Sequence, residues 1–481
     1  MVEVFYMLNI PEYKSAEAVF RFFEEVTRIP RGSGNTGPIA EYLVKFAKER
    51  GLYVRRDEFD NVVIKKPASK GREDRPAVIF QGHTDIVAEK LPELEKDMLR
   101  EGVDIYRDGD FLRARGTTLG GDDGVALAYA LAVLDSDEIE HPAFEALFTS
   151  DEETGLTGAT GLVPFDIEGR LLINIDSDDE GIFTVGCAGG VRVDINLPVV
   201  RECYGDRTYR ISLSGLAGGH SGIEINKGRE NAIKLLFTLL SRLSGDFRLV
   251  SISGGNADNA IPRDAEAIIA TSGELCGVDA ALIESFAAEF AERESGMRVV
   301  AEAVECGNAA LTEKCGRTLI DMACALPTGV IGMSRDIEGL VETSLNMGIT
   351  RLCDDHLELS FSVRSAKGAE KEALVARVKA IAEAAGATVG ERGSYPAWEY
   401  KKDSYIRDLA CEVFRDVYGR EAEVLIIHAG LECGILSGKI EGLDAISLGP
   451  DNFDIHTTEE HLSISSTARV WEYLKALLKR I

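Results

Sequence analysis

The sequence predicts an α/β protein that carries an inserted α+β unit, and two observations support this prediction. Up to about residue 185, helix-like segments alternate with short apolar runs rich in Val, Ile and Leu, and these runs end near Gly, Asp or Ser. From about Cys187 the pattern changes to alternating strands, amphipathic helices and turns rich in Gly and Asn, and the first pattern resumes near Trp398. The chain is therefore expected to leave one domain, build a second and return to the first.

The elements of the outer domain follow from local signals. The segment Pro38–Arg50 begins on a proline and stops before Gly51, the usual start and stop of a helix, and the pair Gly120-Gly121 opens another apolar helix. The predicted helices are Val19–Thr27, Pro38–Arg50, Val125–Leu134 and Ser404–Tyr418, and the predicted buried strands are Ala77–Phe80, Ala146–Thr149, Leu171–Ile175 and Ala445–Leu448.

The insert is predicted to comprise residues 187–397, between a first part of the outer domain at 1–186 and a second part at 398–481. Alternating apolar residues predict a strand at Arg207–Leu213, and helical spacing predicts helices at Asn231–Leu243 and Asp279–Glu292. A chain of 481 residues is too long for one ordinary core, so two domains are expected.

Charge and composition exclude several classes of protein. The chain has 53 Lys and Arg against 81 Asp and Glu, a formal net charge of −28, whereas a nucleic-acid surface needs clustered positive charge. No apolar run approaches the roughly 18 residues of a membrane span, and charged residues interrupt the N-terminal segment, so neither an anchor nor a signal peptide is expected. The nine cysteines are scattered without CxxC pairs, which indicates free thiols, a cytoplasmic location and no cysteine metal ligands.

A first candidate site is the sequence GHTD at residues 82–85, directly after an apolar run. Residues two apart in an extended segment face the same way, so we expect Asp85 to hydrogen-bond one nitrogen of His83 and to orient the ring for metal ligation. A His-x-Asp pair by itself is more often structural, and that alternative stays open at this point.

Two further segments place carboxylates in turns. In GTTLGGDDG, residues 116–124, Asp122 and Asp123 stand at a predicted helix start, where an Asp commonly serves as N-cap, and the acidic pair disfavours a phosphate loop. In SDEETG, residues 150–155, the adjacent Glu152 and Glu153 cannot easily reach the same atom. One of them could bind metal while the other acts as a general base, although a solvated acidic turn explains these residues equally well.

The shared location of these residues strengthens the metal interpretation. His83, the two glutamates, Asp176 and His456 all follow predicted strands, at the edge where open α/β sheets bind their ligands. Two histidines and three carboxylates suit borderline or hard divalent ions, and a bridging Asp122 would give each of two metals three protein ligands. Spacing alone leaves His461 as an alternative to His456.

The order of the sequence blocks resembles the M20 metallopeptidases of the aminoacyl-histidine dipeptidase type. The blocks are GHTD, GTTLGGDDG, SDEETGLTGA, LINIDSDDEG, CAGG, GLAGGHSG, NAIPR, HAGLECG and HTTEEH. The resemblance begins before IPRGSGN, residues 29–35, and runs to the C-terminus. It implies a zinc-peptidase-like mixed sheet flanked by helices, with an inserted α+β lid and dimerisation domain.

The resemblance also implies a metal-ligand set. Asp122 would bridge two divalent metal ions, with Zn²⁺ expected and Mn²⁺ or Co²⁺ as alternatives. His83 and Asp176 would complete the coordination of one ion, and Glu153 and His456 that of the other.

The same resemblance implies catalytic roles for two neighbouring carboxylates. Glu152 would be the general base, and Asp85 would orient His83. The peptide bond between Asp122 and Asp123 would be cis.

In the insert the resemblance implies residues that hold the substrate. His220 of GGHSG would reach the oxyanion, often from a partner subunit, so a homodimer is implied. Asn259 and Arg364 would hold the substrate, and a guanidinium suits a dipeptide's free carboxylate by bidentate pairing. Outside the predicted insert, His428 of HAGLECG would lie near the substrate, and chemistry supplies no role for it. The alternatives are a turn residue for Asn259, a surface ion pair for Arg364 and a structural histidine for His428.

The implied function is metal-dependent hydrolysis of small peptides in the cytoplasm, with no nucleic-acid or membrane partner. The implied substrates are dipeptides with a free N-terminus, Xaa-His among them, cleaved by a hydroxide shared between the metals. One alternative is an M20-type deacylase or carboxypeptidase that acts on N-acyl amino acids or larger peptides. The other is a non-catalytic metal-binding relative, which would lack a ligand or the base, yet all six residues are present.

Overall fold

A computed structural model describes residues 8, 10–273, 277–307, 309–335, 337 and 339–481 of the chain. The chain divides into two units. The first comprises Met1–Gly186, Tyr400–Ile426 and Leu431–Ile481, and the second comprises Cys187–Glu399 and Ile427–Gly430.

Two short segments differ from the predicted domain bounds, because residues 398–399 and Ile427–Gly430 belong to the second unit. Backbone hydrogen bonds hold both segments there. The amide of Ala188 donates to the carbonyl of Ile427 at 3.1 Å, and the amide of Cys187 donates to that of Trp398 at 3.0 Å. Such pairings join residues far apart in sequence, so local patterns do not reveal them.

The described helices and strands are numbered here in chain order. The helices are α1 (Glu17–Thr27), α2 (Gly37–Glu49), α3 (Gly121–Asp135), α4 (Thr157–Gly161), α5 (Ala232–Arg242), α6 (Gly277–Phe290), α7 (Glu313–Ala325), α8 (Gly368–Ala384), α9 (Tyr405–Tyr418), α10 (Glu432–Lys439) and α11 (Ile464–Arg480). The strands are β1 (Tyr53–Arg56), β2 (Val62–Lys66), β3 (Val78–His83), β4 (Ile105–Asp108), β5 (Phe111–Ala114), β6 (Phe144–Thr149), β7 (Leu171–Asn174), β8 (Ile182–Cys187), β9 (Gly189–Pro198), β10 (Arg201–Cys203), β11 (Arg207–Ser214), β12 (Gly219–His220), β13 (Phe247–Gly254), β14 (Ala260–Ile261), β15 (Ala265–Thr271), β16 (Arg298–Val304), β17 (Ala309–Leu311), β18 (Gly329–Met333), β19 (Val341–Leu352), β20 (His356–Ser365), β21 (Thr388–Tyr395), β22 (Glu423–Ile427), β23 (Asp444–Ser447), β24 (Asn452–Phe453) and β25 (His461–Ser463).

An eight-stranded mixed sheet forms the centre of the first unit, in the order β1-β2-β6-β3-β7-β23-β8-β22. Strands β6, β3, β7 and β23 run parallel to one another, so their carboxyl ends meet at one edge. Strand β3 is buried along its whole length, as expected for a parallel strand covered on both faces. The loops that leave this edge carry the candidate residues of the outer domain.

Helix α3 is buried on all sides and packs against α1 and β3. Its apolar residues surround the whole helix, which is typical of a core helix. Tyr129 donates a hydrogen bond to the carbonyl of Thr467 at 2.8 Å and stacks on Trp471 with ring centroids 5.9 Å apart. These contacts anchor a helix whose first turn begins at Gly121, beside the candidate site.

The second unit is built on an antiparallel sheet in the order β16-β11-β15-β13-β19-β20-β9-β21, with β18 paired to β19. Helices α5, α7 and α8 pack against its strands. A separate pair of short strands, β12 and β14, places His220 opposite Ala260. The predicted α+β character of the insert agrees with this arrangement.

The predicted elements agree with the structure to within a few residues. Helix Pro38–Arg50 is observed as α2, and the predicted strand Ala77–Phe80 is observed as the longer β3. The strand extends to His83 because Gln81 pairs with both neighbouring strands, and Gly82 and His83 continue the pairing with β6. In the described ranges, no helix combines the length and apolar character that crossing a membrane requires.

Candidate active site

The structure brings five predicted side chains together at the carboxyl edge of the parallel strands. His83 is the last residue of β3, Glu153 follows β6, and Asp176 follows β7. Asp122 lies in the first turn of α3, and His456 lies on the loop between β24 and β25. Ligand sites of open α/β sheets occupy this edge.

Asp122 stands between the two imidazoles and directs one carboxylate oxygen at each. Its Oδ1 lies 2.8 Å from His83 Nε2, and its Oδ2 lies 3.1 Å from His456 Nε2. A further carboxylate oxygen faces each ring, since Asp176 Oδ1 lies 3.7 Å from His83 Nε2 and Glu153 Oε1 lies 3.0 Å from His456 Nε2. The cluster therefore has two halves that share one carboxylate.

The electrostatics of the cluster show a deficit of positive charge. Burial raises the pKa of Asp176 to about 6. Hydrogen bonds that His456 donates to Asp122 and Glu153 raise its pKa to about 10, and burial opposes them. Burial also opposes ionisation of His83, yet its hydrogen bonds to Asp122 and Asp176 raise its pKa well above the usual value. Without a metal, protonated imidazoles offset the negative charge of the carboxylates. A divalent cation would supply the same positive charge and be bound by the same nitrogen and oxygen atoms.

His83 contacts Asp85 as predicted, but it does so through the backbone carbonyl of Asp85 and not through the carboxylate. His83 Nδ1 lies 3.1 Å from the backbone carbonyl oxygen of Asp85, and the nearest carboxylate oxygen lies 3.5 Å away. The carboxylate is turned toward other donors, because it accepts hydrogen bonds from the amides of Glu152 at 3.0 Å and Glu153 at 3.3 Å. Nδ1 beside a carbonyl can only donate, which leaves Nε2 of the neutral ring free for a ligand. Asp85 thus positions the two glutamates directly.

Glu152 occupies a different position from Glu153. Burial raises the pKa of its carboxyl well above the usual value, and the neighbouring Asp176 raises it further. The atoms of His83, Asp122 and Glu153 that could share one ion form a group without Glu152. Of the adjacent pair, Glu153 belongs to this group and Glu152 does not.

The sequence placed Asp123 at a helix start but gave it no role in the metal site. Its Oδ2 accepts a hydrogen bond from the amide of His83 at 3.2 Å, and a Cβ on Gly82 would lie only 2.4 Å from that oxygen. Asp123 is also close enough to His83 and Asp176 to form a second possible three-residue group. The Asp122–Asp123 peptide bond is cis, and neither side chain caps the helix.

Glu432 was also missed, although it lies in the HAGLECG block. Its buried carboxylate accepts hydrogen bonds from Gln81 Nε2 at 2.7 Å and Thr149 Oγ1 at 2.6 Å. Gln81 Oε1 in turn accepts from Asn174 Nδ2 at 2.6 Å, so the network joins β3, β6 and β7 just before their carboxyl ends. Burial raises the pKa of Glu432 to about 7.

In the second unit, His220 and Asn259 lie side by side through the pairing of β12 with β14. The amide of Ser221 donates to the carbonyl of Asn259 at 2.8 Å. His220 Nδ1 accepts hydrogen bonds from the amides of Gly222 at 3.2 Å and Ile223 at 3.1 Å. The proton of the neutral ring must then be on Nε2, which is left as a donor.

Arg364 and His428, the other two predicted substrate residues, also meet in the second unit. Arg364 is the register partner of Ser344, whose Oγ lies 2.7 Å from His428 Nε2. Burial lowers the pKa of His428 to about 4, and the charge of Arg364 lowers it further. Burial and Arg364 likewise lower the pKa of His220. The four predicted substrate residues are therefore neighbours within this unit, although His428 lies outside the predicted bounds of the insert.

His461, the alternative to His456, lies outside the cluster. Its Nδ1 lies 2.8 Å from the carbonyl oxygen of Glu459, and its ring packs against Phe111 and Phe453. A separate group in the second unit, Cys353, His356 and Glu358, has metal-binding residue types. Both nitrogens of His356 already pair with carboxylates, at 2.6 and 3.1 Å.

Comparison with known proteins agrees with the geometry. Residues 79–480 match the profile of peptidase family M20/M25/M40. The chain is 37% identical over 475 residues to the cytosol non-specific dipeptidase of Escherichia coli (strain K12), covering 97% of this chain and 98% of that protein.

Solved structures give the same assignment. The aminoacylhistidine dipeptidase of Vibrio alginolyticus superposes with a TM-score of 0.91 at 35% identity, over 97% of each chain. An aminopeptidase of Bacillus cereus shares the fold, with a TM-score of 0.58 at 17% identity over 96% of this chain and 98% of that one. This chain belongs to the M20/M25/M40 family of peptidases.

Proposed function

We propose that this protein is a metal-dependent dipeptidase that hydrolyses dipeptides with a free N-terminus, with broad specificity that includes Xaa-His. The observation that carries the proposal is the position of Asp122, which directs one oxygen at His83 and the other at His456. A carboxylate shared in this way would hold two metal ions close together, as two-metal hydrolases require. The E. coli and V. alginolyticus relatives, both named as dipeptidases, support the substrate class.

The donor set fits two divalent ions. Asp122 would bridge them, His83 and Asp176 would bind one, and Glu153 and His456 would bind the other. Imidazole and carboxylate donors suit Zn²⁺, and Mn²⁺ or Co²⁺ are alternatives. When bound, the ions would polarise the scissile carbonyl and lower the pKa of water.

Glu152 would move the proton. Its carboxylate takes a proton from the attacking water while the water oxygen bonds to the carbonyl carbon. The same carboxyl then gives that proton to the leaving amine nitrogen as the C–N bond breaks. Asp85 keeps Glu152 in place through the amide hydrogen bond of 3.0 Å. A carboxyl with a pKa raised by burial suits both halves of this transfer.

The residues of the second unit would hold the substrate. The Nε2–H of His220 would donate to the carbonyl oxygen as negative charge develops on it, within its own subunit or in a partner's site. Arg364 would pair with the free carboxylate of the dipeptide, with Asn259 and His428 beside it. A homodimer in the cytoplasm is part of this proposal.

The proposal is tested with chelator-stripped protein refilled with Zn²⁺ or Mn²⁺. The substrates are Ala-His, β-Ala-His, Leu-Leu, a tripeptide and an N-acetyl amino acid. Dipeptide cleavage that returns only with metal is expected. Cleavage of the acetyl compound alone would move the assignment to a deacylase, and no cleavage at all would indicate a non-catalytic relative.

A further inference from the structure

Two buried charges of opposite sign hold the segment that leads into α3, residues 119–122, here called the Asp122 loop. The proposed reaction uses neither of them. They belong to Glu460, which is 3% exposed, and to Arg31, which is 2% exposed. Buried charges are costly unless they are paired or fully hydrogen-bonded, so their partners indicate what they do.

Glu460 binds the amides of the Asp122 loop. Its Oε2 accepts hydrogen bonds from Leu119 at 2.8 Å and Gly120 at 2.9 Å, and its Oε1 accepts one from Gly121 at 2.8 Å. A fourth amide, that of Asp122, lies 3.4 Å from Oε1. The amides of Gly121 and Asp122 belong to the first turn of α3, where the helix dipole favours a negative charge, and those of Leu119 and Gly120 precede it.

Arg31 binds the carbonyl side of the same segment. One guanidinium nitrogen donates to the carbonyl of Gly120 at 2.7 Å, and another donates to that of Thr84 at 2.9 Å. Burial lowers the pKa of Arg31 to about 10, and the side chain therefore remains charged at neutral pH. The guanidinium thus connects the Asp122 loop to the residue that follows His83.

Gly120 is held from both sides. Its amide donates to Glu460, its carbonyl accepts from Arg31, and its φ is +72°. A Cβ on this residue would lie 2.7 Å from Ile86 Cγ2, so position 120 has no room for a side chain. Asp122 follows two residues later.

The two charges also connect the three segments that carry the shared carboxylate and the imidazoles. Arg31 joins the loop to the end of β3, where His83 lies, and Glu460 lies four residues after His456 on its loop. Asp122 must direct one oxygen to each histidine, and this requires the three segments to keep their spacing.

We propose that Arg31 and Glu460 are positioning residues that clamp the Asp122 loop between the His83 strand and the His456 loop, and so set the affinity of the metal pair. This inference rests on the proposed function for its metal centre. Residues that orient metal ligands typically contribute 10- to 100-fold in metal affinity or activity.

The test compares Glu460→Gln and Arg31→Lys with two matched controls. Gln keeps the size of the side chain but replaces one acceptor by a donor that faces an amide, and Lys cannot reach both carbonyls with a planar fork. Glu145→Gln is the first control, since that carboxylate is 3% exposed and accepts from the amides of Glu168 and Gly169 at 3.1 and 2.8 Å. Arg201→Lys is the second, because its guanidinium also bridges backbone carbonyls.

Metal-free proteins are titrated with Zn²⁺ against a chromophoric chelator, and kcat and KM are measured separately. We expect both clamp variants to bind Zn²⁺ about 10- to 100-fold more weakly, with a fall in kcat larger than any rise in KM, while the controls bind as the wild type does. Zinc affinity equal to that of the wild type in both clamp variants would overturn the inference, whatever happens to thermal stability.

Two features keep the test decisive. If Glu460→Gln does not fold, Glu460→Asp, which keeps the charge and shortens the reach, takes its place with the same expected direction. The zinc titration uses no substrate. Wild-type protein that binds Zn²⁺ but cleaves no dipeptide would therefore refute the proposed function, while the clamp would still be judged from the affinities.

Discussion

Replacing Glu152 by Gln should remove most of the turnover and leave the metal content unchanged. Gln keeps the volume of the side chain but cannot accept the proton of water. The structure places Glu152 outside the atoms of His83, Asp122 and Glu153 that could share an ion. The amide that holds residue 152 to Asp85 belongs to the backbone, so the substitution does not disturb it.

The size of the effect follows from the role of the group. A general base contributes about 10²- to 10⁴-fold, so kcat should fall by that factor, which corresponds to about 3 to 5 kcal/mol of barrier. The matched control is Glu153→Gln, in which the lost carboxylate oxygen lies 3.0 Å from His456 Nε2. That variant should lose metal affinity first, and activity should partly return at high Zn²⁺.

The assay combines elemental analysis of both variants with steady-state hydrolysis of Ala-His at saturating Zn²⁺. The proposed division of labour between Glu152 and Glu153 is wrong if Glu152→Gln binds one metal fewer than the wild type. It is equally wrong if that variant keeps wild-type kcat.

Three further predictions concern the second unit and the metals. Burial lowers the pKa of His428 to about 4 in the folded protein, against an ordinary 6.5. The contribution of neutral His428 to the free energy of unfolding is therefore complete above pH 6.5 and is lost as the pH falls to 4. In urea unfolding at pH 7 and pH 4, His428→Gln should lose about 3 kcal/mol less stability between the two pH values than the wild type does, and equal losses would contradict this. His220→Ala should lower kcat by about 10²- to 10³-fold with little change in KM, whereas a rise in KM alone would assign His220 to ground-state binding. Removing metal with a chelator should lower the unfolding temperature measured by calorimetry. Free metal at 100 times its Kd adds about 2.7 kcal/mol to the free energy of unfolding when it binds only the folded protein. An unchanged unfolding temperature would contradict a metal site that exists only in the folded state.

Much of the fold could be predicted because the signals are local. Apolar runs identified the buried strands, and Pro and Gly identified the ends of α2. Since parallel strands share one carboxyl edge, the residues at the ends of β3, β6 and β7 were expected to lie close together, and His83 does lie near Asp176 and in one group with Glu153. The family prediction is confirmed by the matching profile over residues 79–480.

Local patterns could not decide between two candidate metal ligands in the same stretch of chain. His456 and His461 are five residues apart, and spacing left both open. In the structure the His461 ring packs against Phe111 and Phe453, while His456 reaches Asp122. The predicted contact between the Asp85 carboxylate and His83 differed from the structure for a similar reason. The alternation of side chains along a strand does not show that the amides of Glu152 and Glu153 bind the carboxylate.

The sequence by itself determined which chemical groups are available and at which strand ends they stand, because strands and turns follow from short-range patterns. Only the tertiary structure decided which atoms meet. Glu460 and Leu119 are 341 residues apart in the chain, yet they are joined by a hydrogen bond of 2.8 Å. Such a contact depends on the order of strands in the sheet and on the packing of α3 against it, and closing so long a loop carries an entropic cost that no local pattern reveals.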